Sequence, residues 1–487
     1  MNRLKKYARI FKNTENHSYI LLASYCIFIS IPLLYRPYFW ADSFSYIAIN
    51  DRDTLDNSLL QVVQNFRPLY ALFLQFSGEW FRSTGDLRLM IIITLTGAIY
   101  FSSLLMRILI FMSFSKLFAT FAALLFLVLP TFQNYFYDPV MWPMTWTAAL
   151  VLKAYLLVKS EGTGKSWIAV CLLVACSLVY QPIYALFILL IFLQMSQSLL
   201  LNTGAIRDIL KVNLGSVIVF TKSFFISFGI GNLTIFIYNL EPATRTLILG
   251  NLDEILEKLK WVGSVIFATF MRPFATNTSS VFISVSLIIG LCYSSFVLYE
   301  SFRLSLRNLL GVMLIPIGGI ISIFPLLIVS QNQFEYRSIP GLGLASLLWL
   351  ITSMKILFQK LKLSGASKLF YSIIFTIIMT SNSYLLSQEL WIIPTSSRDI
   401  VLKQVKENAV GACLVIPKEA ESRIKRLGIY SLRTDLVLSW VIENLTNIDG
   451  EKIEIKRVAS SLNDCGESRF NLDMSGAYNK NPKWWLY

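Results

Sequence analysis

Long apolar runs alternate with short polar loops from residue 19 to residue 387. A helix needs about 20 mostly apolar residues to cross the hydrocarbon core of a bilayer, and counting such runs predicts about eleven membrane-spanning helices. The pattern therefore predicts an all-α polytopic membrane protein. In chain order the predicted spans cover residues 19–35, 89–111, 117–132, 145–158, 167–180, 183–201, 219–239, 279–299, 309–329, 341–358 and 369–387.

The polar loops alternate in charge. Every second loop collects basic residues, namely Lys116; Lys159 and Lys165; Arg207 and Lys211; Arg303 and Arg307; and Lys360, Lys362 and Lys368. Because cytoplasmic loops retain Lys and Arg, these loops and the amino terminus are predicted to be cytoplasmic. The opposite side then receives the large loop 36–88, the turns 134–143 and 331–340, the stretch 239–279 and the tail from residue 388.

Composition supports this interpretation and narrows the function classes. The chain is 55% hydrophobic and only 15% charged, which is too little polar surface for a water-soluble globule of 487 residues. The net charge of +14 comes from segments that flank apolar runs, so orientation and anionic lipid explain it better than nucleic acid does. No small-residue cleavage site follows Tyr35, so the first span is predicted to be retained.

Two outer segments are predicted to carry amphipathic helices. Residues 252–265 place apolar side chains at helical spacing, which suits a helix in the interface plane, and residues 55–63 repeat the pattern before Arg67 and Pro68. The tail has the composition of a soluble module, with strands predicted at 412–416 and 452–458 and helices at 399–408 and 434–444. We thus predict a membrane domain, 1–387, and a small α/β domain, 388–487.

Histidine chemistry is effectively excluded, because the one histidine, His17, lies on the cytoplasmic flank of the first span. The candidate base is Asp42, which follows that span within an aromatic stretch beginning at Tyr38. A carboxylate partly withdrawn from water has a raised pKa and can accept a proton from a sugar hydroxyl. The alternative is an interfacial aromatic belt with a solvated Asp42 that ends the helix.

Arg67 and Arg337 both face the outer side, where a guanidinium binds phosphate bidentately. The alternatives are that Arg67 snorkels to lipid phosphate and that Glu335 neutralises Arg337. The break at Tyr180 and Gln181 suits either a binding cavity or a tight hairpin. The further candidate substrate-binding residues are Trp40, Tyr137, Asp138, Trp142, Glu335, Tyr336, Lys483, Trp484 and Trp485.

Metal binding and nucleotide binding have weaker signals. Asp51 and Asp53 form an Asp-x-Asp pattern, but their loop faces away from cytosolic nucleotide sugars, so we predict no cofactor and leave a metal at Asp42, Asp51 and Asp53 open. Gly164, Lys165 and Ser166 resemble the end of a phosphate-binding loop whose first glycine is missing. In an extracytoplasmic tail, Cys413 and Cys465 could form a disulfide.

These features resemble the GT-C membrane glycosyltransferases: the large first outer loop, Asp42 after the first span, the sequence Arg67-Pro68-Leu69, the Tyr180-Gln181 break and the polar outer tail. More narrowly, the chain is similar to the phage-encoded serotype-converting O-antigen glucosyltransferases of enteric bacteria. Relatives often have paired acidic residues where this chain has Asp42 and Ser43. That departure leaves the metal question open.

The resemblance implies a multi-pass protein of the bacterial inner membrane with a periplasmic tail. It implies inverting transfer of glucose from undecaprenyl-phosphate glucose to a hydroxyl of lipopolysaccharide O-antigen, with Asp42 as base and Arg67 and Arg337 at the donor phosphate. A donor synthase and a flippase are the implied pathway partners, and membrane lipids surround the spans. The alternatives are an O-antigen polymerase and a lipid-linked sugar transporter or flippase.

Overall fold

The structure is a computed structural model that describes residues 18–31, 34, 55–80, 86–137, 141–160, 163–201, 205–242, 252–271, 280–327, 338–377, 380, 412–415, 455–459 and 470–473. The described helices, in chain order, are α1 Ser18–Ile31, α2 Leu55–Gln64, α3 Pro68–Trp80, α4 Asp86–Phe111, α5 Lys116–Leu127, α6 Pro130–Tyr137, α7 Trp142–Lys159, α8 Thr163–Val179, α9 Gln181–Tyr184, α10 Leu186–Leu200, α11 Ile206–Ile237, α12 Leu252–Met271, α13 Ser280–Leu304, α14 Leu306–Ile321, α15 Phe324–Leu327, α16 Pro340–Lys360 and α17 Gly365–Ile377.

Each of the predicted spans overlaps one of these helices. Among the described residues, four stretches are long and apolar enough to cross a membrane: Arg88–Phe111, Gln181–Leu200, Ile206–Ile237 and Pro340–Lys360. These stretches agree with an all-α membrane protein. The number of eleven spans, and the sides that the loops face, stay predictions.

Helix α11 shows how these helices meet their surroundings. Its buried side carries small and polar residues, including Ser223, Ser227 and Gly231. Its exposed side is apolar, with Phe225 and Phe236 among the exposed residues. A soluble protein places these two classes the other way round, whereas membrane helices use small residues for close contact and turn apolar side chains to lipid.

The bundle interior depends on close approaches at glycine. A Cβ built on Gly343 of α16 would lie 2.1 Å from Oγ1 of Thr131 in α6, and one on Gly341 would lie 2.2 Å from Oγ of Ser322. Helix α10 packs along α14 and also contacts α16, so these helices share one core. Backbone therefore lies where an ordinary side chain would otherwise separate the helices.

Helices α2 and α3 lie within the segment 36–88, which is predicted to be the large first outer loop. The predicted helix at 55–63 is confirmed as α2, whereas α3 was not predicted. Helix α3 packs on the start of α7: Trp142 donates its indole N–H to Oγ of Ser77 at 2.8 Å, and the Phe73 ring meets the Trp142 ring edge-on, with 5.3 Å between the centroids. The loop is thus joined to the bundle at the end that carries the predicted outer turns.

Helix α12 extends the helix predicted at 252–265, and its position in the interface plane stays a prediction. The Phe270 ring lies edge-on to Trp349 in the middle of α16, and the Tyr293 hydroxyl of α13 donates to the Phe270 carbonyl. Lys258 is buried, while Leu256 and Leu259 are exposed. A helix that packs its apolar face on protein would bury the leucines and expose the lysine. The carboxyl-terminal end of α12 therefore reaches the bundle interior.

Three strands are described in the tail, β1 Ala412–Val415, β2 Ile455–Ala459 and β3 Phe470–Asp473. They form a parallel sheet in the order β2, β1, β3. The two predicted strands are therefore confirmed in position and β3 was missed. The tail helices predicted at 399–408 and 434–444 lie outside the described residues, so a separate α/β domain stays a prediction.

Replacing Gly343 with Ala should destabilise the bundle, because the new methyl group would overlap Thr131. Overpacking of this kind costs about 1–3 kcal/mol. The measurement is the thermal unfolding midpoint of the detergent-purified protein. Gly229→Ala in α11 is the matched control, since nothing lies within 4 Å of its added Cβ. Equal midpoints for the two variants would contradict the described contact between α6 and α16.

Candidate functional site

Arg67 lies in the short turn between α2 and α3. At the end of α2 the N–H of Phe66 donates to the carbonyl of Val63 at 2.8 Å, and the N–H of Arg67 donates to the carbonyl of Val62 at 3.3 Å. This pair of bonds is the Schellman pattern that ends many helices. Helix α3 begins at the next residue, Pro68, a residue well suited to a first helical position. Two helix ends therefore fix the backbone on both sides of Arg67.

Phe66 occupies a backbone conformation that usually belongs to glycine. Its φ is +58°, which costs a residue with a Cβ roughly 1–2 kcal/mol. The ring stacks on Phe228 of α11 with 6.1 Å between centroids. It also fills the space beside Gly231, where an added Cβ would lie 2.8 Å from Phe66 Cδ1. Aromatic packing against α11 thus offsets the strain and fixes the turn.

The Arg67 guanidinium is held on two sides. Its Nε donates a hydrogen bond to Oε1 of Gln181 at 3.0 Å. Its Cζ lies 4.5 Å from the centroid of the Tyr180 ring, within the range of a cation–π contact. The predicted site residues Arg67, Tyr180 and Gln181 are therefore brought together, although 113 residues separate the arginine from the tyrosine. Their meeting is the central feature of the candidate site.

Gln181 also serves the end of α2. Its Nε2 donates to the carbonyl oxygens of Phe66 at 2.8 Å and of Asn65 at 3.3 Å. Carbonyls at the end of a helix lack intrahelical partners, so this amide satisfies two of them. Both amide hydrogens and the amide oxygen are thus in use. Gln181 was expected to bind substrate, but its geometry makes it a positioning residue for Arg67.

Tyr180 interrupts the helix as predicted. Helix α8 ends at Val179, Tyr180 is extended with φ −159° and ψ 104°, and α9 begins at Gln181. The Tyr180 ring meets the Tyr135 ring edge-on at 6.2 Å, and its hydroxyl lies 3.3 Å from Oγ of Ser338. The surface under the guanidinium is therefore supported by α6 and by the residues just before α16.

Tyr135 connects this surface to a row of buried rings. Tyr135 packs edge-on against Phe132, and Phe132 contacts Phe101 and Phe126 at centroid distances of 4.9 and 4.8 Å. Edge-on and offset ring pairs stabilise by about 0.5–1.5 kcal/mol beyond the area that they bury. The row leaves Tyr180 little freedom to move. Sequence reasoning named the aromatic turn but not this connection, because it depends on a contact between Tyr135 of α6 and Tyr180, just after the end of α8.

The other predicted site residues divide into two groups. Trp142 contacts Phe73 and Ser77 on α3 instead of the Arg67 group, so it supports the loop. Tyr137 ends α6, and its side chain is not described. The remaining candidates lie outside the described residues: Trp40, Asp42, Asp138, Glu335, Tyr336, Arg337, Lys483, Trp484 and Trp485. Cys465 lies outside them too, so the Cys413–Cys465 disulfide stays a prediction.

The described ranges contain no group of three His, Cys, Asp or Glu side chains that could hold a metal ion. Asp42, Asp51 and Asp53 lie outside those ranges, so a metal at that loop stays an open prediction. The described site contributes a cation, an amide and an aromatic face. This set of groups suits binding of an anion, with a ring surface beside it.

Comparisons with protein-family models, curated proteins and solved structures find no match to this chain.

Replacing Gln181 with Leu should loosen the turn, because Arg67 Nε loses an acceptor and two carbonyls of α2 lose a donor. Such losses cost about 1–3 kcal/mol. The measurements are the unfolding midpoint and amide hydrogen exchange over residues 55–67. Gln359→Leu, at an exposed position of α16, is the control. Gln181→Glu separates the two roles of the side chain, since a carboxylate pairs with Arg67 but donates nothing to the carbonyls. Equal amide hydrogen exchange over residues 55–67 in all three variants would show that Gln181 is not a positioning residue.

Proposed function

We propose that this protein is an inverting membrane glycosyltransferase of the GT-C type. It transfers glucose from undecaprenyl-phosphate glucose to a hydroxyl of O-antigen on the periplasmic face of the bacterial inner membrane. The observation that carries the proposal is the held guanidinium of Arg67, in a chain with several apolar helices. The charge pattern predicts that the loop of Arg67 is on the outer side. The resemblance to the serotype-converting glucosyltransferases supplies the sugar and the acceptor.

The environment of Arg67 suits a lipid-linked phosphate. The Nε bond to Gln181 and the Tyr180 ring set the orientation of the guanidinium plane, whose terminal nitrogens form the fork that binds phosphate bidentately. Helix α3 begins at Pro68, so the positive end of its dipole adjoins the same point. Both sources of positive potential stabilise a phosphate that gains charge as the sugar leaves.

Arg337 is the second proposed phosphate ligand. Its chain neighbour Ser338 lies at Tyr180, with 3.3 Å between the two hydroxyl oxygens. Arg337 directly precedes Ser338, and one residue spans at most about 3.6 Å of chain. This contact supports a pair of arginines around one phosphate, one from each outer segment.

Asp42 is the proposed base, on the evidence of its sequence position after the first span. It takes the proton of an acceptor hydroxyl while that oxygen attacks the anomeric carbon. The bond from that carbon to the phosphate oxygen breaks, and the electron pair leaves with the lipid phosphate. Displacement from the opposite face inverts the anomeric configuration. Lys483, Trp484 and Trp485 of the tail are proposed contacts for the polysaccharide.

The whole proposal is tested by expressing the protein in a strain of defined O-antigen, with and without a lipid-glucose synthase, followed by linkage analysis. A new glucosyl branch that depends on the synthase is expected. An unchanged polysaccharide in cells that express the protein well would contradict the proposal. A deletion strain with single-repeat O-antigen in place of full-length chains would instead favour the polymerase alternative.

Arg67→Lys should reduce transfer roughly a hundredfold, the loss typical when a donor to developing charge is removed. Lysine keeps the charge but lacks the planar fork and the ring contact. Arg107→Lys is a matched control, because Arg107 also donates a hydrogen bond from Nε and lies over a tyrosine ring, in its case to and over Tyr19, at the predicted cytoplasmic side. Transfer per molecule of membrane-inserted protein is the measurement. Equal losses in the two variants would remove Arg67 from the donor site.

Asp42→Asn should abolish transfer while the amount of inserted protein is unchanged, because the amide cannot accept the acceptor proton. Ser43→Ala, at the neighbouring position, is the control. Insertion is followed by immunoblotting of membranes and transfer by linkage analysis. Full activity of Asp42→Asn would exclude Asp42 as the base and leave the proposed donor site intact.

A further inference from the structure

An apolar groove of about 520 Å³ is lined by residues of α3, α8 and α11. Pro68, Leu69 and Leu72 of α3 belong to the lining, and Arg67, next to Pro68, lies at Tyr180, just after the end of α8. Trp167, near the start of α8, lines the other end of the groove. Apart from the Thr234 hydroxyl, the Trp167 indole N–H and the Cys171 thiol, the side chains that line the groove are hydrocarbon. Such a surface suits a hydrocarbon chain.

A cation marks the Trp167 end. Lys222 of α11 places its Nζ 5.2 Å from the centroid of the Trp167 ring, and it lies one helical turn before Ile226 of the groove. It is the one charged residue in the sequence between Lys211 and Glu241. Its neighbours Ile218 and Phe225 are exposed apolar side chains. A lone cation on a face of this kind is a functional-site candidate whose counter-charge must come from outside the helix.

The groove has the length of one leaflet. Its lining on α8 runs from Trp167 to Leu178, and eleven residues of helix extend roughly 16 Å. That is about half of the 30 Å hydrocarbon core. Trp167 is more than half exposed and stands two residues after Lys165, in a loop that the charge pattern predicts to be cytoplasmic. Tryptophan at the start of a span is typical of the headgroup level.

The geometry points to a binding site for an anionic phospholipid of the cytoplasmic leaflet, with its phosphate-bearing headgroup at Lys222 and Trp167 and one acyl chain in the groove. The cation and the apolar channel meet at one end, as a charged headgroup and its chain do. The site is separate from the proposed donor phosphate at Arg67. It does not depend on the proposed function, because the lipid is bound and not consumed.

The test is retention of added dioleoyl phosphatidylglycerol by the full-length protein in detergent, measured by native mass spectrometry against dioleoyl phosphatidylcholine. One tightly held phosphatidylglycerol per chain is expected. Lys222→Ala should weaken its retention about fivefold, the worth of one lysine at a membrane surface. Lys222→Arg should retain it. Lys153→Ala, which removes another exposed lysine from an apolar helix, should leave retention unchanged.

Cys171 gives an independent readout, because it lines the groove and its thiol is exposed. Phosphatidylglycerol should slow its reaction with a maleimide, and Lys222→Ala should remove the protection. Cys292, an exposed cysteine of α13, should react at the same rate throughout. Ala175→Phe, which fills the groove, should displace the lipid although Lys222 is intact.

Three results would overturn the proposal. Unchanged retention in Lys222→Ala would remove the headgroup contact. Equal retention and protection with phosphatidylcholine would show that the lysine only extends to the membrane surface and selects no anionic lipid. Retention that falls in Arg67→Lys but not in Lys222→Ala would assign the groove to a lipid whose head lies at the outer end.

Discussion

Backbone carbonyls without partners are the constraint on which the described site depends. A membrane protein has little water to satisfy helix ends, and this fold interrupts its helices at two neighbouring places, after Gln64 and at Tyr180. Gln181 connects the two places, because it begins one helix and donates to two carbonyls just after the end of another. The same amide accepts from Arg67. The side chain that satisfies these carbonyls therefore also orients the arginine.

Aromatic packing then holds the turn before Arg67 in place. Phe66 is strained, and it is held by Phe228 and by the space that Gly231 leaves. Phe228 contacts Phe224, and Phe224 contacts the Phe324 ring of α15, so the turn is continuous with an aromatic layer along α11. Strained backbone persists where the surroundings over-determine it, often at functional sites. Here the strain lies one residue before the guanidinium that the proposed reaction uses.

The sequence predicts the helices and the break at Tyr180 better than it predicts the contacts between residues that are distant in the chain. Apolar runs locate the helices, and Tyr180-Gln181-Pro182 locates the break, because a polar amide and a proline interrupt an otherwise apolar stretch. Nothing local predicts that Gln181 serves Asn65 and Phe66, more than a hundred residues away. Lys258 shows the opposite limit, since a lysine beside leucines predicts an exposed charge, whereas the side chain is buried.

Position distinguishes Arg67 from Arg107, although both guanidinium groups lie over a tyrosine ring. Arg107 lies within α4, before the last turn of that helix. Arg67 lies directly before the start of α3, where the helix dipole is positive and an anion is stabilised. Phe66, the preceding residue, has a strained backbone that its packing partners hold in place. The proposed phosphate site therefore depends on where the guanidinium is held, which the contact with a tyrosine alone does not decide.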